Sequence, residues 1–109
     1  GLDLISLVGS TVGINQNGTE IPAKYNLSQN YPNPFNPSTK INFSLPKSGN
    51  VKLAVYDMIG NEVSVLTNGN LAAGNYTADF NASKLSSGVY FYKLTTDEFS
   101  STKRMMLIK

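Results

Sequence analysis

The chain has no cysteine and no histidine among its 109 residues. The first absence excludes disulfide scaffolds, thiolate catalysis and cysteine-based zinc sites. The second removes the usual general base and the commonest zinc ligand. Charge is sparse as well: only 15% of residues are Asp, Glu, Lys or Arg, with nine cations against seven anions. So even a balance implies no phosphate-binding face, and no nucleic acid is expected as a partner. The apolar stretch from Leu2 to Gly9 carries Asp3, lacks the basic flank of a signal peptide and is far too short to span a bilayer, so no membrane insertion is expected. The chain opens on glycine, and we read it as a piece of a longer protein. No segment after Tyr25 keeps a helical period.

What is present is a run of short alternating segments. Ile41, Phe43 and Leu45 alternate with polar residues and stop at Pro46. Val51, Leu53 and Val55 repeat the pattern, and Glu62 to Leu66 forms the return strand of a hairpin. Between them, Asp57 to Asn61 has the make-up of a turn: an Asp side chain bonds the backbone ahead and Gly60 supplies positive φ. Asn68-Gly69-Asn70 and Ala73-Gly74-Asn75 bracket a loop. Tyr76, Ala78 and Phe80 then share one face, as do Tyr90, Tyr92 and Leu94 beyond the Ser86-Ser87-Gly88 turn. Phe99 to Lys109 is the last strand, with Met105 and Leu107 facing the core. With a short strand near Tyr25 to Ser28, this predicts seven strands: an all-β, antiparallel, immunoglobulin-like sandwich. Residues 1–24 are assigned to the tail of an upstream region and a flexible linker, and 25–109 to the domain.

Tyr31-Pro32-Asn33-Pro34-Phe35-Asn36-Pro37-Ser38-Thr39 packs three prolines and two aromatics into nine residues, directly before the first clean strand. Proline fixes φ, removes a donor and biases its predecessor towards extended backbone, so a stiff, extended segment is expected. Tyr31 and Phe35 are its large apolar groups, and both are expected to cover the open end of the core.

Six pieces in order carry a resemblance: Leu27 to Thr39; Ile41-x-Phe43-x-Leu45-Pro46; Val55-Tyr56-Asp57-x-x-Gly60; Ala73-Gly74; Ser87-Gly88-Val89-Tyr90-Phe91-Tyr92-x-Leu94; and Lys103-Arg104-Met105 to Lys109. Over residues 25–109 the chain resembles the type A C-terminal sorting domain of type IX secretion. One position departs: Asp79-Phe80 stands where Trp-Asp is frequent in that family, although an aromatic is kept. The resemblance implies a non-enzymatic signal that directs cargo, attached upstream in the same chain, across the outer membrane to the cell surface or the medium. It implies two protein partners, an outer-membrane translocon and a sortase-like protease that cuts upstream of the domain. The stretch from Gly13 to Lys24 is the expected cleavage region. No cofactor is implied.

The motif residues singled out are Tyr31, Pro32, Pro34, Phe35, Pro37, Asp57, Gly60 and Gly88. The recognition candidates are Lys103, Arg104, Met105, Met106, Leu107, Ile108 and Lys109, an edge-strand candidate whose free backbone groups and basic ends suit addition to a partner sheet. The same stretch also serves simply to complete the fold. Asp57, Glu62, Asp79, Asp97 and Glu98 lack the spacing of a metal site or a carboxylate pair. Two other functions stay open on the residues alone. One is an adhesive or carbohydrate-binding immunoglobulin-like module using Tyr90 and Tyr92, and the other is a structural spacer. Residues 2–8 are expected to pair with the sandwich or with a second copy.

Overall fold

A computed structural model describes residues 14–16 and 21–109. Among them lie eight strands and no helix: β1 (Ile14–Gln16), β2 (Asn26–Leu27), β3 (Ser38–Leu45), β4 (Gly49–Tyr56), β5 (Glu62–Leu71), β6 (Gly74–Asn81), β7 (Gly88–Thr96) and β8 (Ser100–Leu107). They form two four-stranded antiparallel sheets, ordered β1-β6-β3-β2 and β5-β4-β7-β8. From β2 onwards there are the seven strands expected, crossing between sheets as in an immunoglobulin-like sandwich. The expectation for residues 2–8 lies outside the described residues.

The core follows from the two-residue period of a strand. Ile41, Phe43 and Leu45 of β3 and Tyr76, Ala78 and Phe80 of β6 point into the space between the sheets. Val51, Leu53 and Val55 of β4 meet them with Tyr90, Tyr92 and Leu94 of β7 and Met105 and Leu107 of β8. All of these are buried, as the alternation requires. Phe43 stacks on Tyr76 with ring centroids 5.3 Å apart.

Three boundaries differ from expectation. Strand β5 runs on through Asn68-Gly69-Asn70, because Asn70 and Gly69 pair with Asn50 and Val51 of β4. Backbone pairing there overrides the turn chemistry of the side chains. The last strand begins at Ser100, not Phe99, whose ring stacks on Tyr25 at 5.1 Å, and it ends at Leu107. Within the stretch assigned to the linker, Ile14–Gln16 pairs with Ala78, Thr77 and Tyr76 along the open side of β6. A strand edge offers N–H and C=O groups to any extended segment, with no need for a buried side chain.

The β4–β5 turn is built as its residues dictate. Asp57 Oδ1 accepts from the amides of Ile59 (3.0 Å) and Asn61 (2.9 Å). The Asp57 amide donates to the Asn61 carbonyl, and the Gly60 amide to the Asp57 carbonyl. Gly60 has φ +91°, and a Cβ there would meet nothing within 4 Å. The cost of a side chain is therefore conformational: Gly60→Ala is expected to lose about 1–2 kcal/mol, read as a shift in the denaturant midpoint with an unchanged slope.

Candidate functional site

The proline-rich segment and the end of the chain, singled out separately in the sequence, meet in space. Phe35 is buried, 2% exposed, with its ring tilted on Phe80 at 6.1 Å. Its amide donates to the Met106 carbonyl and its carbonyl accepts from the Ile108 amide, both at 3.0 Å. Asn33 Oδ1 accepts from the Met106 amide at 3.1 Å, and Gln29 Nε2 donates to the Arg104 carbonyl at 2.6 Å. The segment thus lies along the outer edge of β8 from Arg104 to Ile108. That edge was expected to be free, but the groups expected to invite a partner strand already have partners. The physical reason is that a buried Phe35 carries its own backbone into hydrogen-bonding range of Met106.

The segment is also bent where an extended course was expected. It turns back on itself between an isolated bridge of Tyr31 with Lys40 and one of Phe35 with Leu107. The peptide bonds before Pro32, Pro34 and Pro37 are all cis. Asn30, 2% exposed, anchors the bend. Its Nδ2 donates to the Pro32 carbonyl and to Thr39 Oγ1 at 3.1 Å each, its Oδ1 accepts from Gln29 Nε2, and Thr39 Oγ1 donates to the Pro32 carbonyl. With Asn30 facing inward, the next residue faces out. Tyr31 is 80% exposed and does not cover the core, contrary to expectation. Pro32 and Pro34 are exposed and Pro37 is half-buried, its carbonyl accepting from the Ala82 amide at 2.8 Å.

Below this loop sits Tyr92, fully buried. Its hydroxyl donates to the Ser28 carbonyl at 2.7 Å and accepts from the Asn30 amide at 2.8 Å. Burial pushes its pKa up to about 12, with the Asn30 amide pulling the other way. A group whose pKa is higher folded than unfolded stabilises the fold below its unfolded value and loses that contribution as pH rises. Stability is therefore expected to fall between pH 10 and about 12. Tyr92→Phe is expected to flatten this alkaline slope while lowering stability at pH 7, where the Asn30 amide loses its partner. Urea titrations at several pH values read both effects.

The candidates at the chain end divide by parity. Met105 and Leu107 are buried; Arg104, Met106, Ile108 and Lys109 are exposed, and Lys103 is half-buried. Lys109 folds back: its amide donates to Ser87 Oγ and its Nζ to the Ser83 carbonyl. Gly88 opens β7 at φ +155°, a conformation side-chain-bearing residues rarely adopt. Tyr90 donates its hydroxyl to the Ser86 carbonyl and is buried with Tyr92, so these tyrosines form no stacking platform. The acids are scattered: Asp79 pairs with Lys40, Glu62 with Lys52 and Glu98 with Lys47. Among the described residues no three potential ligands gather as a metal site would require.

The family model for the secretion system C-terminal sorting domain matches residues 29–109. The chain belongs to that family. It is a type IX secretion sorting domain, and the family implies a secreted or cell-surface protein that interacts with the type IX machinery. No curated protein matches the chain. Among the described residues of the sorting domain no helix is long and apolar enough to cross a membrane.

Sequence reasoning missed Asn30, Thr39, Gln29 and Asn33, which place the loop. An amide residue just before a proline run, with a Thr at its end, was the available signal, since Asn bonds local backbone readily. It also missed the outward-facing apolar residues of the second sheet. Their signal was the break in alternation at Val89-Tyr90-Phe91-Tyr92, where both faces are apolar.

Proposed function

We propose that the sorting domain, residues 25–109, is presented as a folded address to an outer-membrane translocon, with its exposed chain end, Ile108 and Lys109, as a recognised element. Cargo attached upstream is cut from it by a sortase-like protease within residues 13–24 and is released or retained at the surface. The role needs no catalytic group. The observation that supports this reading most directly is the family match together with the clamp on β8. The loop grips the strand through Phe35, which leaves the two residues after it exposed in a fixed position.

A fluorescent reporter fused ahead of residues 1–109 is expected to leave a type IX-competent bacterium. Deleting residues 105–109 removes Met105 and Leu107 from the core as well as the exposed end, so retention by that deletion alone is ambiguous. The discriminating variant is Ile108→Asp with Lys109→Glu, which touches exposed side chains only. Retention in the periplasm at an unchanged melting temperature is the expected result; export at the parental level would remove the chain end from the recognised surface.

A further inference from the structure

The two outer faces of the sandwich are built on different chemistry. On the β3–β6 face three successive register pairs are polar and bonded side chain to side chain: Lys40 with Asp79, Asn42 with Thr77 and Ser44 with Asn75, each at 2.7 Å. These rows satisfy one another. On the β5-β4-β7-β8 face the rows nearest the Asp57 turn mix apolar and charged groups: Val89 with Met106; Glu62, Tyr56, Phe91 and Arg104; and Val65, a buried Ala54, Lys93 and Thr102; the next row, Asn68, Lys52, Thr95 and Ser100, is polar. Met106 is 42% exposed and Val65 38%. At its margin the rigid Asp57 turn holds Met58 and Ile59 at 71% and 83% exposure.

Apolar residues at the tip of a turn gain nothing from the fold. This turn is held by the Asp57 carboxylate and Gly60, so it would form equally well with polar residues in the two positions between. A contiguous apolar surface ringed by charge marks an interaction site on a soluble protein. Between turn and sheet lies a shallow cleft of about 350 Å³ with Tyr56 and Phe91 at its base and Met58 and Lys93 beside it. It has the size to take one or two apolar side chains of a partner.

Charge selects the partner. Lys93 and Arg104 stand in these rows, and among the described residues neither belongs to an ion pair, whereas Lys40, Lys47 and Lys52 each have an acid. The acids nearby are occupied: Glu62 by Lys52, and Asp57, which also lines the cleft, by two amides of its own turn. Two unpaired cations among apolar groups fit a surface that offers apolar side chains flanked by carboxylates.

We propose that the outer face of the β5-β4-β7-β8 sheet, with the Met58-Ile59 tip, docks on an acidic, apolar protein surface of the export machinery. This rests on the sorting function proposed above and adds to the chain end a second, independent contact. Arg104 and Met106 give it a physical link to that end, since β8 supplies both.

The test uses the reporter fused to residues 1–109 in a type IX-competent bacterium. Three variants are compared: Ile59→Ser with Phe91→Thr, Lys93→Glu with Arg104→Glu, and Ile59→Ser alone, whose side chain is too exposed to matter for folding. Lys40→Glu with Asp79→Lys, which swaps the ion pair on the opposite face, is the control. Exported reporter is expected to fall about tenfold in each double variant and measurably in the single one, at melting temperatures matching the parent, with the control exported normally. A photo-crosslinking residue at position 59 (Ile59→p-benzoylphenylalanine) is expected to join an outer-membrane protein through a peptide rich in Asp or Glu and apolar residues. Lys93→Glu with Arg104→Glu should abolish that adduct. Normal export of all three variants would overturn the proposal. So would an adduct with a second copy of the chain, or binding of the purified chain to phosphatidylglycerol vesicles that the charge reversals abolish. Failure of the unmodified fusion to leave the cell would instead refute the sorting function itself.

Discussion

Phe35→Ala is expected to remove a large share of the stability of this domain. The side chain is 2% exposed, and its deletion opens a cavity beneath a loop that has no other apolar anchor. Truncating a buried Phe costs about 3–5 kcal/mol, against a total of about 5–15 kcal/mol for an ordinary domain. In a domain of this size the melting temperature should drop on the order of 15–30 °C. The damage extends beyond the cavity. With the ring gone, the Phe35 backbone loses the buried group that seats it against Met106 and Ile108, and only Asn33 and Gln29 still reach the outer edge of β8. Circular dichroism with temperature gives the first effect, and faster amide exchange at Met106 and Ile108 the second. A drop of only a few degrees would mean that the Asn30 network and the side chains of Gln29 and Asn33 keep the loop in place without the ring. Tyr31→Ala is the contrasting control, since an 80% exposed ring supports nothing beneath it.

The second large effect is expected at Asn30. Asn30→Asp keeps size and shape but replaces an amide that donates to the Pro32 carbonyl and Thr39 Oγ1 with an acceptor-only carboxylate. Thr39 can turn its hydroxyl to the carboxylate only by abandoning Pro32, whose carbonyl then has no donor left. A buried, poorly partnered carboxylate costs several kcal/mol or takes up a proton instead. The introduced carboxyl will therefore have a higher pKa folded than unfolded. Its ionised form destabilises the fold, so relative stability is retained below the unfolded value of about 3.9 and is lost as pH rises through the folded value. Urea midpoints should show the variant about 3 kcal/mol or more below the parent at pH 7 and much closer to it in acid. A pH-independent deficit would mean that lost donors, not a buried charge, are responsible.

These two residues also mark where sequence reasoning succeeds and where it stops. The strands that bury one face were legible because a two-residue period leaves no ambiguity. Ile41, Phe43 and Leu45, like Tyr76, Ala78 and Phe80, lie in the core as their spacing demands. The proline run has no period, so nothing in it says which aromatic turns inward. The choice of Phe35 over Tyr31 is made by Asn30, and Asn30 is fixed by the Tyr92 hydroxyl, 62 residues away. Propensity likewise misled at Asn68-Gly69-Asn70, where β4 supplies ladder partners that local chemistry cannot reveal. The recognition candidates divide as the strand period requires: Met105 and Leu107, expected to face the core, are buried, while Arg104 and Met106 face outward. What the period could not show is that the outer edge of β8 is already taken by the proline-rich loop.

The clamp between the loop and β8 has a consequence for quality control of the cargo. A chain cut short before Met105 leaves Phe35 with no strand to close against, and the core of the module stays open. On the function proposed above, such an address is expected to be readable only when its final strand is present. Cargo from aborted synthesis, or clipped near that end by a protease, is then expected to carry an unfolded label and to be retained.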